Sequence, residues 1–587
     1  MFISSIEISN FKSVGSIPKK IDFAPITMLF GANGIGKSTV LHALGYLFEI
    51  FIHKNLDPSH LTTCDNVNVA GFKGLIHEHD LSKEMRFKID LVGAAQFSLP
   101  YNDFFRGQAL QNRLLDMGIY GGPFVGSNSD PIGHLQIDFT LKFDAIQKRV
   151  VICQFVLAIN GEKITNIKVP KQGLPYLSDF NFNHKLFSIA DDSFYFDDFH
   201  VQARLEEIRS FDSAKSLSQR LIEFGINEEN IKLDCFDALD LFDFGQSPWL
   251  FEFACKLDED EDISDKAKQA SDVAMFLQII VLEPIRKIKQ SLKKLIHIGP
   301  IRTIPGLYFE PSSLISKQGW YSGKSAWDNL FQCEETLERV NLNLKNVMGL
   351  DHSIIIKKFD DVSHLRLIDT AKVEIPLTSM GVGISQVMPI IVACLSKTKS
   401  NLSESKLFVM VEQPELHIHP KLQLSLADLI IKSALLKASP FDRKSIDEFR
   451  LSRPPEELES KELVMKPFFQ HTFREARDHS RYKYLIHHCQ IPDDILDKVF
   501  SFAQCDRQLL LETHSEHLVL RFLRRIRESD EGKVIFERRI QPSHVKINCM
   551  YKKDGHVEID VMRITRDGDL SSKWPGGFFD ERDEELF

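Results

Sequence analysis

One run in this chain has the residue types and spacing needed to grip phosphate. It reads Gly31-Ala-Asn-Gly-Ile-Gly-Lys37-Ser38-Thr39. Phosphate oxygens need several N–H donors at short range. Glycines let the backbone fold into such a nest, because no Cβ intrudes. Gly31, Asn33, Gly34 and Gly36 build the loop. Lys37 is then placed to reach β- and γ-phosphates, and the Ser38 hydroxyl to sit on Mg²⁺. Thr39 follows in the first turn of a helix whose N-terminal end adds positive charge. The spacing G-x-x-x-x-G-K-[ST] arises by chance in about one chain in fifty of this length. Its surroundings sharpen it: 26–30 is apolar and strand-like, and 39–48 is apolar and helix-like. Nucleotide binding is the chemistry this implies.

Three later segments extend the pattern. "LTSMGVGISQVMPIIVACL" (377–395) is glycine-rich and runs into an apolar helix; it contains Ser379 and Gly381. "KLFVMVEQPELHIHP" (406–420) has four apolar residues ending on Glu412, a carboxylate suited to Mg²⁺ through water. "RQLLLETHSEHLVLRFLRRI" (507–526) has a short buried strand, 509–511, followed by a polar turn carrying His514. In a parallel α/β sheet, strand ends of this kind meet along one edge, where a phosphate loop also sits. Taken singly, each is ordinary: a glycine turn, a strand ending in an acid, a structural histidine.

In this order, phosphate loop, glycine-serine signature, acidic strand and histidine turn resemble an ABC-type ATPase. The early position of the loop, after a strand ending "NFKS", is similar to the SMC/RecF/OLD branch. The sequence resembles the bacterial RecF- and OLD-like AAA-type ATPases of phage-defence and DNA-maintenance operons. "GANGIGKS", "GVGISQVMP", "EQPELHIHP", "ETHSEHLVLR" and the terminal "WPGGFFDERDEELF" carry the likeness, which covers 1–95, 295–435 and 505–587.

The resemblance implies a fold class: an α/β ABC-type P-loop head, with a mixed sheet, flanking helices, an antiparallel β subdomain and helical insertions. It implies ATP and Mg²⁺ as ligands, with Ser38 and Glu412 on the metal. Ser379 and Gly381 match the signature serine and glycine that contact the γ-phosphate. Such heads bind ATP between two subunits packed head to tail, although Lys37 and Ser379 could also meet within one subunit. ATP then acts as interfacial glue that hydrolysis loosens, a two-state switch biased by ligand. His514 matches the switch histidine. The lid glutamine is open among Gln96, Gln136 and Gln154. One departure matters: where the family carries a second carboxylate, this chain has Gln413. A neutral amide accepts no proton, so it is no general base. Either Glu415 substitutes, or hydrolysis is slow.

The elements that must position these residues follow from pattern. An N-terminal lobe with an antiparallel β subdomain is expected over 1–195, its meander built from 85–93, 134–144 and 149–170 with an Asn160-Gly161 turn. A helical insertion is expected over 196–296, the C-terminal lobe over 297–436, a charged helical insertion over 437–502, and the end of the ATPase over 503–587. The acidic run 258–262 reads as solvated loop rather than metal cluster. Asp478, His479, His487 and His488 lie close in sequence but match no nuclease spacing. Arg286, Lys289 and Lys293 lie near one helix face, and Arg521, Arg524, Arg525 and Arg527 lie on one helix. Either strip could face DNA or simply solvent.

Composition sets the outer limits. The 587 residues are 43% hydrophobic and 26% charged with a net charge of -10, which disfavours a wholly basic nucleic-acid binder. Nine scattered cysteines without a C-x-x-C pair read as reduced core thiols, and no apolar run is long enough to span a bilayer. A soluble cytoplasmic protein is expected, with no membrane partner. The expected function is an ATP-hydrolysing switch that dimerises or forms a higher homo-oligomer on ATP. It would control an effector encoded nearby, a nuclease foremost, because the segment after His514 is too short for a nuclease fold of its own. The alternative is a non-hydrolysing ATP-bound scaffold presenting 437–502 to a partner. A small-molecule kinase or GTPase is disfavoured by the lack of N-K-x-D and by the signature.

Overall fold

Apolar runs that the sequence keeps far apart become neighbours in one six-stranded sheet. The computed structural model describes residues 1–64, 67–95, 132–168, 176–179, 181, 184, 231–233, 251–253, 280–281, 284–305, 318–359, 362–376, 379, 382–396, 407–435, 498, 501–502, 505–533, 538–572 and 574. Across the sheet the order is Leu295–Ile298, Leu407–Glu412, Arg507–Glu512, Ile26–Gly31, Val545–Lys553 and His556–Met562. The first five strands are parallel, and the last closes an antiparallel hairpin.

This sheet is covered on both faces, which is why its strands read as near-continuous apolar runs. Side chains alternate between two cores. Met28, Phe30, Val409, Val411, Leu509 and Leu511 face one core, built with the helices Val382–Leu395, Pro420–Ala434 and Glu516–Asp530. Leu29, Phe408, Met410 and Leu510 face the other, which also takes in the helix Lys37–Phe48.

The second core is closed by a nine-stranded antiparallel sheet. Its order is Phe251–Phe253, Ile231–Leu233, Tyr176–Ser178, Glu162–Lys168, Arg149–Ile159, Ile132–Asp144, Met85–Ala95, Phe2–Ser9 and Lys19–Asp22. The expected meander forms its centre. Asn160 and Gly161, both at positive φ, make the tight turn between Arg149–Ile159 and Glu162–Lys168. Within 196–296, read from sequence as helical, two three-residue strands extend this sheet at its edge. The architecture is therefore the mixed α/β head with an antiparallel β sheet that the motifs imply. The run 258–262, residues 478, 479, 487 and 488, and most of 437–502 lie outside the described residues. No helix among the described residues is long and apolar enough to cross a membrane.

Candidate functional site

The phosphate loop leaves the strand Ile26–Gly31 and enters the helix Lys37–Phe48 through Gly36, the helix N-cap, at φ 106°. That conformation is costly for a residue with a side chain. A Cβ on Gly36 would also stand 2.3 Å from Ser13 Oγ. Ser13 belongs to the "NFKS" turn, and its hydroxyl lies 2.9 Å from Thr39 Oγ1. Lys12 Nζ reaches His42 Nδ1 on the same helix at 2.5 Å. The turn that ends the first strand thus braces the loop helix from outside. No side chain caps that helix among the described residues, and a helix N-terminus without a side-chain cap has amides to offer an anion. Lys37 is buried, and its Nζ donates to the Gly31 and Ala32 carbonyls at 2.9 and 3.0 Å. Burial lowers its pKa, against the opposing pull of Glu512 and Glu415. Asn33 and Gly34 are exposed at the loop tip.

The strand order brings a second acid to the loop, one that the sequence reading passes over. Arg507–Glu512 lies between the loop strand and the acidic strand, and its last residue pairs in register with Glu412 on one side and Leu29 on the other. Ser38 Oγ donates to the Glu512 carboxylate, at 3.2 Å from Oε1 and 3.1 Å from Oε2. Burial, and then the neighbouring Glu412 charge, raise the Glu512 pKa to about 7, against Lys37 and Ser38. The signal was present in the sequence: Glu512 ends an apolar strand just as Glu412 does.

Glu412 faces another way. His297 Nε2 stands 2.9 Å from its Oε1, and His297 Nδ1 stands 3.2 Å from Cys64 Sγ. Burial alone would depress the His297 pKa, but Cys64 and Glu412 overcome it and hold it at about 9. The Tyr321 phenol is pushed upward by burial first and by the nearby Glu412 charge next. Glu412 is therefore backed by the buried His297 ring.

The turn after Glu412 is pinned from both sides. Arg302, almost wholly buried, donates to the Glu412 carbonyl at 2.6 Å, the Gln413 carbonyl at 3.2 Å and the Gln386 carbonyl at 3.1 Å. Gln386 returns the contact through both ends of its amide, accepting from Arg302 N and donating to its carbonyl. Burial lowers the Arg302 pKa to about 10. Gln386 sits on the helix that follows the signature, so Arg302 ties that helix to the acidic strand. Gln413 itself has φ 43°, and its N–H donates to the Glu512 carbonyl at 2.7 Å.

Glu415 turns toward the histidine segment, where Thr513 Oγ1 donates to its Oε2 at 2.6 Å and the His514 N–H to its Oε1 at 2.7 Å. Burial, then Lys37, lower the His514 pKa. The sequence-derived residues Lys37, Ser38, Glu412, Glu415 and His514 are thus linked along one sheet edge, directly or through Glu512. Ser379 is exposed ahead of the helix Val382–Leu395. That helix starts close against the acidic turn, since a Cβ on Gly383 would stand 2.7 Å from the His417 carbonyl. Gly381 lies outside the described residues. Of the lid candidates, Gln96 lies outside them too. Gln136 donates to Asp90 in the large sheet at 2.6 Å, and Gln154 lies on the neighbouring strand.

The candidate DNA strip on the helix Glu516–Asp530 has other employment. Arg521 and Arg525 both make forked contacts to buried Asp428 on the helix Pro420–Ala434. Arg524 pairs with Glu528, and Arg527 with Asp569. The strip is largely an interface within the chain.

A hydroxyl and two carboxylates at the strand ends form a hard oxygen donor set, the kind Mg²⁺ selects, so the residues present fit that ion.

The AAA ATPase domain family matches residues 1–243 and 251–438. A family of unknown function, DUF3696, matches 540–587. No curated protein matches the chain. Among solved structures, an SMC head domain from Thermotoga maritima is 8% identical over 96% of this chain and all of its own, with a TM-score of 0.32. An SMC head with an extended coiled coil, bound to the C-terminal domain of ScpA and derived from Pyrococcus furiosus, is 10% identical over all of this chain and 98% of its own, with a TM-score of 0.33.

Proposed function

The chain belongs to the AAA ATPase domain family, and from that premise we propose that it is an ATP-hydrolysing switch. On this reading it pairs with a second copy on ATP and controls a separate effector, of the nuclease class, in phage defence or DNA maintenance. The observation that supports the ATP site is the convergence of Lys37, Ser38, Glu412, Glu512 and His514 on one edge of the parallel sheet.

Lys37, freed from the Gly31 and Ala32 carbonyls, neutralises the β/γ-phosphates. Loop and helix amides bind the remaining oxygens. Ser38 and a strand-end carboxylate would hold Mg²⁺, which would supply charge neutralisation at the phosphates. His514 is carried toward the γ-phosphate by a turn that Glu415 fixes, which makes Glu415 a positioning residue. Ser379 and Gly381 serve the signature, toward a second copy's nucleotide.

Gln413 favours a second reading: an ATP-bound scaffold that hydrolyses nothing and holds an oligomer together. Phosphate release from the purified protein, with and without DNA, together with sedimentation in ATP, separates the two. A switch releases phosphate and loses its dimer as ATP is consumed. A lasting ATP-dependent assembly without phosphate release contradicts the switch and supports the scaffold.

A further inference from the structure

We propose that Glu512 is the principal carboxylate on the metal side of this site, and that Glu412 supports it from one strand further out. The inference rests on the ATP·Mg²⁺ reading above and departs from what the acidic-strand motif suggests.

Three observations carry it. Neighbouring strands lie about 4.8 Å apart. Glu512 ends the strand beside the phosphate-loop strand, so it is one spacing away, whereas Glu412 is two. Ser38, the loop's metal-ligating residue type, donates its hydroxyl to both Glu512 oxygens. Glu412 already has another neighbour, buried His297 at 2.9 Å, itself 3.2 Å from Cys64 Sγ. A carboxylate engaged on that side is less free to turn to a cation at the loop.

The arrangement also bears on Gln413. With an amide at that position, the acidic strand supplies one carboxylate at its end, and that one is paired. Glu512 restores a second carboxyl group on the adjacent strand, in register with the first. The pair of acids is thus divided between two strands instead of following one another along a single strand.

The test compares wild type with Glu512→Gln and Glu412→Gln. Both substitutions keep the side-chain size and an oxygen acceptor while removing the charge. Affinity for a fluorescent ATP analogue is measured with Mg²⁺ and with chelator, and Mn²⁺ binding to the protein–ATP complex is followed by electron paramagnetic resonance. The expected result is that Glu512→Gln loses about 10- to 100-fold of the metal-dependent gain in affinity. Its metal-free affinity stays at or above that of wild type, which also certifies an intact loop. Glu412→Gln keeps most of the metal-dependent gain. The proposal is overturned if Glu412→Gln loses that gain while Glu512→Gln retains it. It is equally overturned if Glu512→Gln weakens metal-free binding as much as metal-dependent binding, the mark of a structural role. A wild-type protein that binds no analogue under either condition removes the ATP reading itself, so the two failures are told apart.

Discussion

Ser38 and Glu512 stand 474 residues apart in the chain and are bonded at 3.1 Å in the fold. Their contact fixes the phosphate loop to the end of the neighbouring strand. It is one of several links that make this edge a single unit. Arg302 joins the signature helix to the acidic turn, Glu415 joins that turn to His514, and Ser13 joins the first strand's turn to the loop helix.

Arg302 makes that unit depend on one buried cation. Arg302→Met removes donors from three carbonyls at once, those of Gln386, Glu412 and Gln413. Each buried acceptor left unpaired costs about 1–3 kcal/mol. Thermal melting should fall by several degrees, and urea denaturation should show a loss of at least about 3 kcal/mol. A melting temperature unchanged from wild type contradicts the pinning role.

The loop entrance is tested by Gly36→Ala. The substitution forces a side chain into φ 106° and against Ser13. A cost of about 1–3 kcal/mol is expected from the backbone alone. Adding Ser13→Gly should recover the clash and leave the backbone cost, so the double variant melts between the single variant and wild type. Identical melting of the single and double variants rules out the contact with Ser13.

How much of this was legible in the sequence depends on whether a feature is contiguous. The phosphate loop is read whole, because Gly31 to Ser38 are consecutive and their spacing carries the chemistry. Glu412 is read from the apolar strand it ends. Glu512 has the same signature, but His514 two residues on draws the eye. Only the strand order shows which of the two acids adjoins the loop. Arg302 sits in a short turn, "GPIRTIP", with no periodicity to mark it as buried. The arginines of the helix Glu516–Asp530 look like a DNA-facing strip until Asp428, on a different helix, is found between two of them.

That Asp428 contact gives a further prediction. Its carboxyl is buried, which alone would raise its pKa, yet Arg525 and Arg521 bring it below the ordinary value. Asp428→Asn leaves Arg521 without its carboxylate and Arg525 with Glu528 alone, and removing one partner of a buried pair costs about 3–5 kcal/mol. Chemical denaturation should register a loss of at least about 2 kcal/mol. A change under about 0.5 kcal/mol shows that the two helices are held by apolar packing alone.

Acid sensitivity has a defined source at His544. Full burial lowers its pKa to about 4, from an ordinary value near 6.5. Between those values the unfolded chain takes up a proton that the folded chain refuses. The stabilisation is therefore complete above pH 6.5 and is lost as pH falls toward 4, by up to about 3 kcal/mol. Comparing wild type with His544→Gln at pH 7.5 and pH 4.5 checks this. The stability gap between them should narrow, or reverse, at the lower pH. A gap that does not change with pH shows that His544 does not titrate in this window.

Calorimetric titration of ATP and Mg²⁺ into wild type and Lys37→Ala tests the central claim most directly. The wild-type protein should bind one nucleotide per chain, and the variant should lose at least about 100-fold in affinity, roughly 2.7 kcal/mol, while melting within a few degrees of wild type. Equal affinity for the two proteins contradicts the account, since the loop would then not be where the triphosphate sits.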